Sequence, residues 1–591
     1  MLHQIGGHFD GQLIEAVKEG RKFRIVGDNI NFNVDTSHLK NIGNGKKHME
    51  HWFGSAAIVQ NHNFHNLSPI TPNINLAQVS ENMFIPNDDD TNALRDDYYI
   101  LIMRVLTKFC PAFKSFKKLL PQHIRVNTEL NTNKNKVIPL PILNKNEHKY
   151  DDVICILDDY ESTVKKVYDE AGKAIKAITT VHVGGDQLTR CRFSGAKRLR
   201  AGALTNSARF EHLGPISFEF FHLQMAILTL IYQILYDDKI NILGTLYAEK
   251  VRLNRTRADG NDVKNHYDDC KELFLSVTDS YIVEAACQYF GMGDVSEKPS
   301  RNLPENFESL SDEGKNDILK SAIGEMIDKF VWPHTGGKLV DDDNSGVAVK
   351  QMVVTLPDGS QRLFLIPCNS QENASNKSTS DAVKTYAENL LELGMLYKNL
   401  NDAITTPNLE RMKQILKYSM LILKGHNNLS KYALEILRYL FQLYTLSERE
   451  ANELFYGQFV NTHSKVHSFI PADLRMEYLV RLTKSHIKAV QSNKNEGTLV
   501  KRTSAFAGIS EIAENFDNKT MTLVRAHKHK IPSSFEDEIL IINSLKRLSP
   551  FQEQGREIPH KKLPKSPILK ISKYHLLQWI KEHQIDFSYE Y

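Results

Sequence analysis

Three acidic residues stand in settings that suit chemistry on phosphate esters. Asp28 follows a β-rich run, KFRIVGDNINFNV at 22–34, within the tripeptide Gly27-Asp28-Asn29. Asp186 closes a second strand-like run, AITTVHVGGDQLT. Glu477 falls in the first turns of a late helical pattern, DLRMEYLVRLTKSHIKAV. Carboxylates at two strand ends, joined by one from a facing helix, make an oxygen cage for hard cations such as Mg2+ or Mn2+. Two such ions about 3.5–4 Å apart activate an attacking water or hydroxyl and stabilise the leaving oxygen of a phosphodiester. That chemistry requires the three carboxyls to converge. The bland alternative is weighty, because a strand-end Asp after Gly is often a turn or helix cap. Among 71 acidic residues, a trio is also easy to choose.

Further polar groups cluster just after Asp186. Arg190, Arg192, Lys197, Arg198, Arg200 and Arg209 occur in a stretch with no acidic residue from 187 to 210. Such a run beside a metal site could hold phosphates, or it could be an ordinary solvated loop. Glu219 and His222, three apart, predict a pair on one helix face. Their pairing could orient a metal ligand or touch a nucleobase; a satisfied core hydrogen bond is the simpler reading. His48, His51, His62 and His65 lack cysteines and follow no zinc-site spacing. The basic groups at His527–Lys530 and Lys561-Lys562 read as exposed.

The elements must bring distant positions together. Strands are expected at 22–34, with a break at Gly27-Asp28-Asn29, at 55–60, and before Asp186. Helical periodicity marks 91–121 and the segment beginning DDVICILDDY, while Asn127–His148 reads as an exposed connection. Helical patterns dominate from about 211 to 456. They are interrupted by an expected hairpin at 353–367 around Asp358-Gly359 and a polar, low-complexity loop at 369–381. A helix is expected to start near Pro471. The expected organisation is 1–210, first part of the core; 211–456, a mostly helical insertion; and 457–591, the last part of the core with a helical tail.

Composition limits the classes available. The 591 residues are 41% hydrophobic and 25% charged, enough for real cores in two to four units. A net charge of +3 excludes a strongly basic surface throughout, so nucleic-acid binding would rely on local patches. Six scattered cysteines without a C-x-x-C pair argue against a zinc ribbon or disulfide framework and fit a reducing compartment, nucleus or cytoplasm. No secretory signal is visible. The most apolar stretch, 218–236, contains Glu219, His222, Gln224 and Gln233, which points to a buried helix and no membrane span.

Several ordered motifs resemble a eukaryotic family of mobile-element-associated proteins. They read IVGDNINF at 25–32, GGDQLTRCR at 184–192, GPISFEFFH at 214–222 and FVNTHSKVHSFIPADLRMEY at 459–478. They stand in the places of Y-D-N-I-N, G-D-Q-L-T, D-W-H and F-V-N-T-H-G…D-L-x-x-E-H blocks. Their order is similar to that of hAT and P-element DDE transposases. The resemblance implies an α/β fold, with a ribonuclease-H-like mixed sheet interrupted by a large helical insertion. It also implies Asp28, Asp186 and Glu477 as metal-binding catalytic residues and His222 as a conformational or DNA-contacting residue. Magnesium or manganese is then the expected cofactor, with no small organic cofactor, DNA the expected partner, and a homo-oligomer the expected state. The chain departs from the pattern at Ser464, Phe221 and Tyr478, which stand where Gly, Trp and His are usual. Only 27 residues precede Asp28, so no self-contained N-terminal DNA-binding domain is expected. Two functions remain open: a metal-dependent DNA nuclease or transposase, and a catalytically inactive scaffold retained for binding DNA or protein. A ribonuclease or exonuclease on the same core is a third.

Overall fold

Two apolar periodicities divide the chain, one building a sheet and the other a thick helical layer. The computed structural model describes residues 8–34, 48–62, 64–71, 79–173, 180–339, 349–355, 361–367, 381–426, 429–489, 497–499, 520, 534–559 and 563–588. Strands β1 (Phe23–Val34) and β2 (His48–Val59) pair antiparallel along their whole length, from Phe23 opposite Val59 to Val34 opposite His48. Side chains of β1 alternate between two cores. Phe23 and Ile25 enter one, while Val26, Ile30 and Phe32 enter the other, as the two-residue repeat of a strand requires.

Strand β3 (Val137–Pro139) pairs antiparallel with β2, β4 (Val181–Gly185) parallel with β1, and β5 (Leu213–Phe218) parallel with β4. The order is β3-β2-β1-β4-β5. Every residue of β4 is buried, the mark of a parallel strand covered on both faces. One face is covered by α1 (His8–Lys18), α3 (Tyr150–Glu170) and α4 (Gln187–Leu199), through Leu13, Val17, Ile156, Tyr160 and Phe193. The other receives α13 (Ala472–Lys488), whose Ala472, Met476, Leu479 and Val480 pack on Val26, Ile30, Trp52 and Ala56.

The helical layer has one continuous core. It contains α2 (Asp88–Phe109), α5 (Phe220–Leu235), α6 (Leu246–Arg252), α7 (Tyr267–Phe290), α8 (Asp312–Phe330), α9 (Ala382–Thr405), α10 (Leu409–Lys424), α11 (Ser430–Thr445) and α12 (Glu448–Gly457). Helices α14 (Phe535–Leu548) and α15 (Lys573–Ser588) return to the same core through Ile541, Leu545, Leu576 and Ile580. α5 is apolar nearly all round, which suits a helix at the centre of a large domain. No helix among the described residues is long and apolar enough to cross a membrane.

The layer is fastened to the sheet at the end of β5. Phe220 stacks on Phe459 at 5.2 Å and meets Tyr439 edge-on. Gln458 donates to the Phe218 carbonyl at 2.6 Å. Arg24 on β1 forms a fully buried ion pair with Glu219, the residue just before α5.

Several local expectations change. β1 does not break at Gly27-Asp28-Asn29; it continues, with Asp28 opposite Gly54. Gly27 is needed for close approach, since a Cβ there would lie 2.5 Å from the Phe53 ring and 2.8 Å from the Tyr160 hydroxyl. Asn127–His148 is not simply an exposed connection, because it contributes β3 and the buried Glu147. The expected hairpin is present as β6 (Val349–Thr355) and β7 (Gln361–Pro367). Of the polar loop at 369–381, only Asp381 is described, and it caps α9. Tail residues 527–530 and 561–562 also lie outside the described residues. β8 (Phe459–Asn461) and β9 (Phe469–Pro471) form a separate two-stranded ribbon leading into α13.

Candidate active site

Alternation along β1 sends Arg24, Val26 and Asp28 toward the face covered by α13. The β4 chain ends beside it at Asp186, and α13 carries Glu477 over the same region. Burial pushes the Asp28 carboxyl well above the usual carboxylate range; the negative charges of Glu477 and Asp186 add to this, while His222 opposes it. Three carboxylates from three distant segments therefore sense one another. They do not close into a ligand shell: among the described residues, no three or more His, Cys, Asp or Glu side chains are grouped closely enough to hold a metal ion. The oxygen chemistry suits a hard divalent cation, and the mutual repulsion at Asp28 is what a cation would relieve. Side-chain movement would still be needed to complete coordination.

Asp186 also has the structural role expected of a strand-end Asp. It is the N-cap of α4 and accepts from the Thr189 backbone N–H at 2.7 Å. Its cap and its electrostatic contact with Asp28 coexist.

His222 lies between the acidic elements. The expected Glu219–His222 pair does not form, because Glu219 precedes the helix and turns to Arg24. The His222 ring instead meets Asp473 through Nδ1 at 2.9 Å, with Nε2 3.8 Å from Glu477. Burial alone would lower its pKa. The hydrogen bond and charge of Asp473, together with Asp28 and Asp186, outweigh burial and push it up to about 10. His222 is therefore an imidazolium at neutral pH. Asp473 further accepts from the Phe221 and His222 backbone N–H groups at 3.1 and 3.0 Å, capping α5 from a neighbouring helix.

Glu147 is a fourth acidic group, absent from the sequence-based site. It accepts from the Asn29 amide and from the Thr189 hydroxyl, the latter at 2.6 Å. Burial, and then the charge of Asp186, push its pKa up to about 7. It thus links the residue after Asp28 to the first turn after Asp186. Its surroundings in sequence, rich in Asn and Lys, carry no signal of this. Asp473 was more accessible: it lies one helical turn before Glu477.

The basic run after Asp186 is mostly committed to structure. Arg190 is 3% exposed and ion-paired with Glu435. Lys197 donates to the Leu213 carbonyl at 2.5 Å. Arg200 lies 3.5 Å from Asp158, and Arg209 pairs with Glu211 at 2.6 Å. Arg198 is engaged in an interaction as well. Arg192 differs: its guanidinium lies 4.8 Å over the Tyr150 ring, and its charge reaches Glu147. Of the run, it is the residue tied electrostatically to the acidic cluster. The others are taken up by α4 and the turns that follow it, in contacts that a linear count of charges could not reveal.

Fold and site together define a mixed α/β protein, with a five-stranded sheet carrying an acidic cluster beneath a helical layer. The chain belongs to a family of unknown function (DUF6589), whose model matches residues 76–529. That match includes Asp186, His222 and Glu477; β1 with Asp28 precedes it. No curated protein and no solved structure matches the chain.

Proposed function

We propose that this chain is a transposase-like nuclease that cleaves or transfers phosphodiester strands of DNA with divalent metal ions, on a ribonuclease-H-like core. The observation that carries the reading is the meeting of Asp28, Asp186 and Glu477 across a sheet ordered β3-β2-β1-β4-β5. Three antiparallel strands followed by two parallel ones, with one acidic group on β1 and another just past the end of the adjacent β4, suit such a core. Helices α5 to α12, which lie between β5 and α13 in the chain, support the same reading, as an insertion before the last acidic residue.

Asp28, Asp186 and Glu477 would hold the cations, which supply activation of the attacking oxygen and stabilisation of the leaving one. The protein's own groups prepare that centre. Asp473 fixes the His222 ring, whose Nε2 faces Glu477 and restrains it. Glu147 couples Asn29 to Thr189 and so ties the centre of β1 to the start of α4. Arg192 places positive charge beside these acids, where a phosphate would approach.

Nicking of supercoiled plasmid DNA in Mg2+ or Mn2+ tests the proposal, with an RNA substrate run in parallel. Asp186→Asn is the informative variant, since asparagine retains N-cap capacity. Loss of nicking with an unchanged melting temperature is expected; equal activity in the variant removes the proposal. A second reading, an inactive DNA- or protein-binding scaffold, is favoured by the carboxylates standing short of a ligand shell. It wins if calorimetric titration with Mg2+ and Mn2+ detects no binding.

A further inference from the structure

Helix α13 has a second side that the acidic cluster does not use. Asp473, Met476, Val480, Thr483 and Ile487 are buried and fix the side facing the protein. Glu477, Arg481, Lys484 and Lys488 are spaced four, three and four residues apart, which aligns them in one row along the helix flank. Arg481 and Lys488 are exposed and Lys484 partly so. Among the described residues, none of the three cations has an ion-pair partner. The row starts at a carboxylate of the candidate site and extends about 16 Å from it at the helical rise. Over that length a nucleic-acid strand presents about five phosphates.

Beside the row, Tyr478 and Leu482 are each 42% exposed. The Arg481 guanidinium lies 5.8 Å from the Tyr478 ring centroid. Cations alternating with an exposed aromatic are what a single strand requires: charge for its backbone and a flat face for its bases. No acidic side chain interrupts the row beyond Glu477, although the chain as a whole carries only +3. The positive charge is local and points away from the site along one line.

We infer that Arg481, Lys484 and Lys488 form a track for the phosphate backbone of a nucleic-acid strand entering at Glu477, with Tyr478 stacking on one of its bases. The inference rests on the nuclease reading for the identity of the strand, but its test does not depend on cleavage. Binding of a labelled oligothymidine of about 30 nucleotides, and of a duplex of equal length, is measured by fluorescence anisotropy in EDTA over a salt series. The triple variant R481A/K484A/K488A is expected to weaken binding about tenfold or more. The slope of log affinity against log salt should fall by about two. Tyr478→Ala should weaken the single strand and spare the duplex. A control triple with the same net charge, K114A/K117A/K298A at exposed positions elsewhere, should bind within about twofold of the parent.

The track is overturned if the α13 triple retains parental affinity and slope, or if the parent binds anionic vesicles but neither oligonucleotide. Track-dependent binding without metal-dependent nicking removes the nuclease and keeps the track. Nicking by the parent, with binding indifferent to the α13 triple, does the reverse.

Discussion

At Asp473 one carboxylate serves the Nδ1 of His222, the two backbone N–H groups that open α5 and the Leu474 backbone N–H. Asp473→Asn should therefore release the imidazolium. Burial then dominates, and the His222 pKa should fall from about 10 toward or below its ordinary value, as read by NMR titration of the ring. Titration unchanged from the parent would show that the other acids suffice. Glu147 invites a different variant. Glu147→Gln retains one acceptor but removes a negative charge beside Asp186. Divalent-ion affinity in calorimetry should drop several-fold if Glu147 belongs to the electrostatics of the site, and stay constant if it only braces Asn29 and Thr189.

Elements are joined by contacts that tolerate little change. Gly27 admits the Phe53 ring against the centre of β1, so Gly27→Ala should destabilise by about 1–3 kcal/mol in urea titration, as overpacking does. The Arg24–Glu219 pair tests the fastening between sheet and helical layer. Among the described residues, two buried guanidinium nitrogens of Arg24 have no hydrogen-bond partner, so the pair is incompletely satisfied. Arg24→Met or Glu219→Leu alone should cost about 3–5 kcal/mol, because each strands a buried charge. The double variant should recover most of that loss. Additive losses would instead show that each side chain acts through packing.

Across the whole molecule, buried carboxyls set the response to pH. Glu392 on α9 receives the Ser566 hydroxyl from the tail at 2.7 Å, and burial pushes its pKa up to about 8. Its folded value lies above its unfolded one, so its stability contribution is complete below about pH 4.5 and declines as pH rises toward about 8. The melting temperature should be lower at pH 8.5 than at pH 6, and Glu392→Gln should reduce the difference by the equivalent of about 1–3 kcal/mol. A difference that persists in full would assign the pH response to other groups. The same tail contributes Ile541, Leu545, Leu576 and Ile580 to the helical core, so its return is part of that core.

Sequence alone determined what depends on local periodicity and residue type: the strand at 22–34, the helix that begins near Pro471, the apolar α5, the 353–367 hairpin and three unusual acids. It could also anticipate Asp186 as a helix cap, because capping is decided within a few residues. Tertiary structure decided which side chains meet. It turned Glu219 to Arg24 and His222 to Asp473, drew Glu147 in from a stretch that reads as loop, and buried Arg190 against Glu435. Those outcomes depend on pairings across hundreds of residues, where burial makes an unmatched charge costly and distance along the chain carries no information about proximity in space.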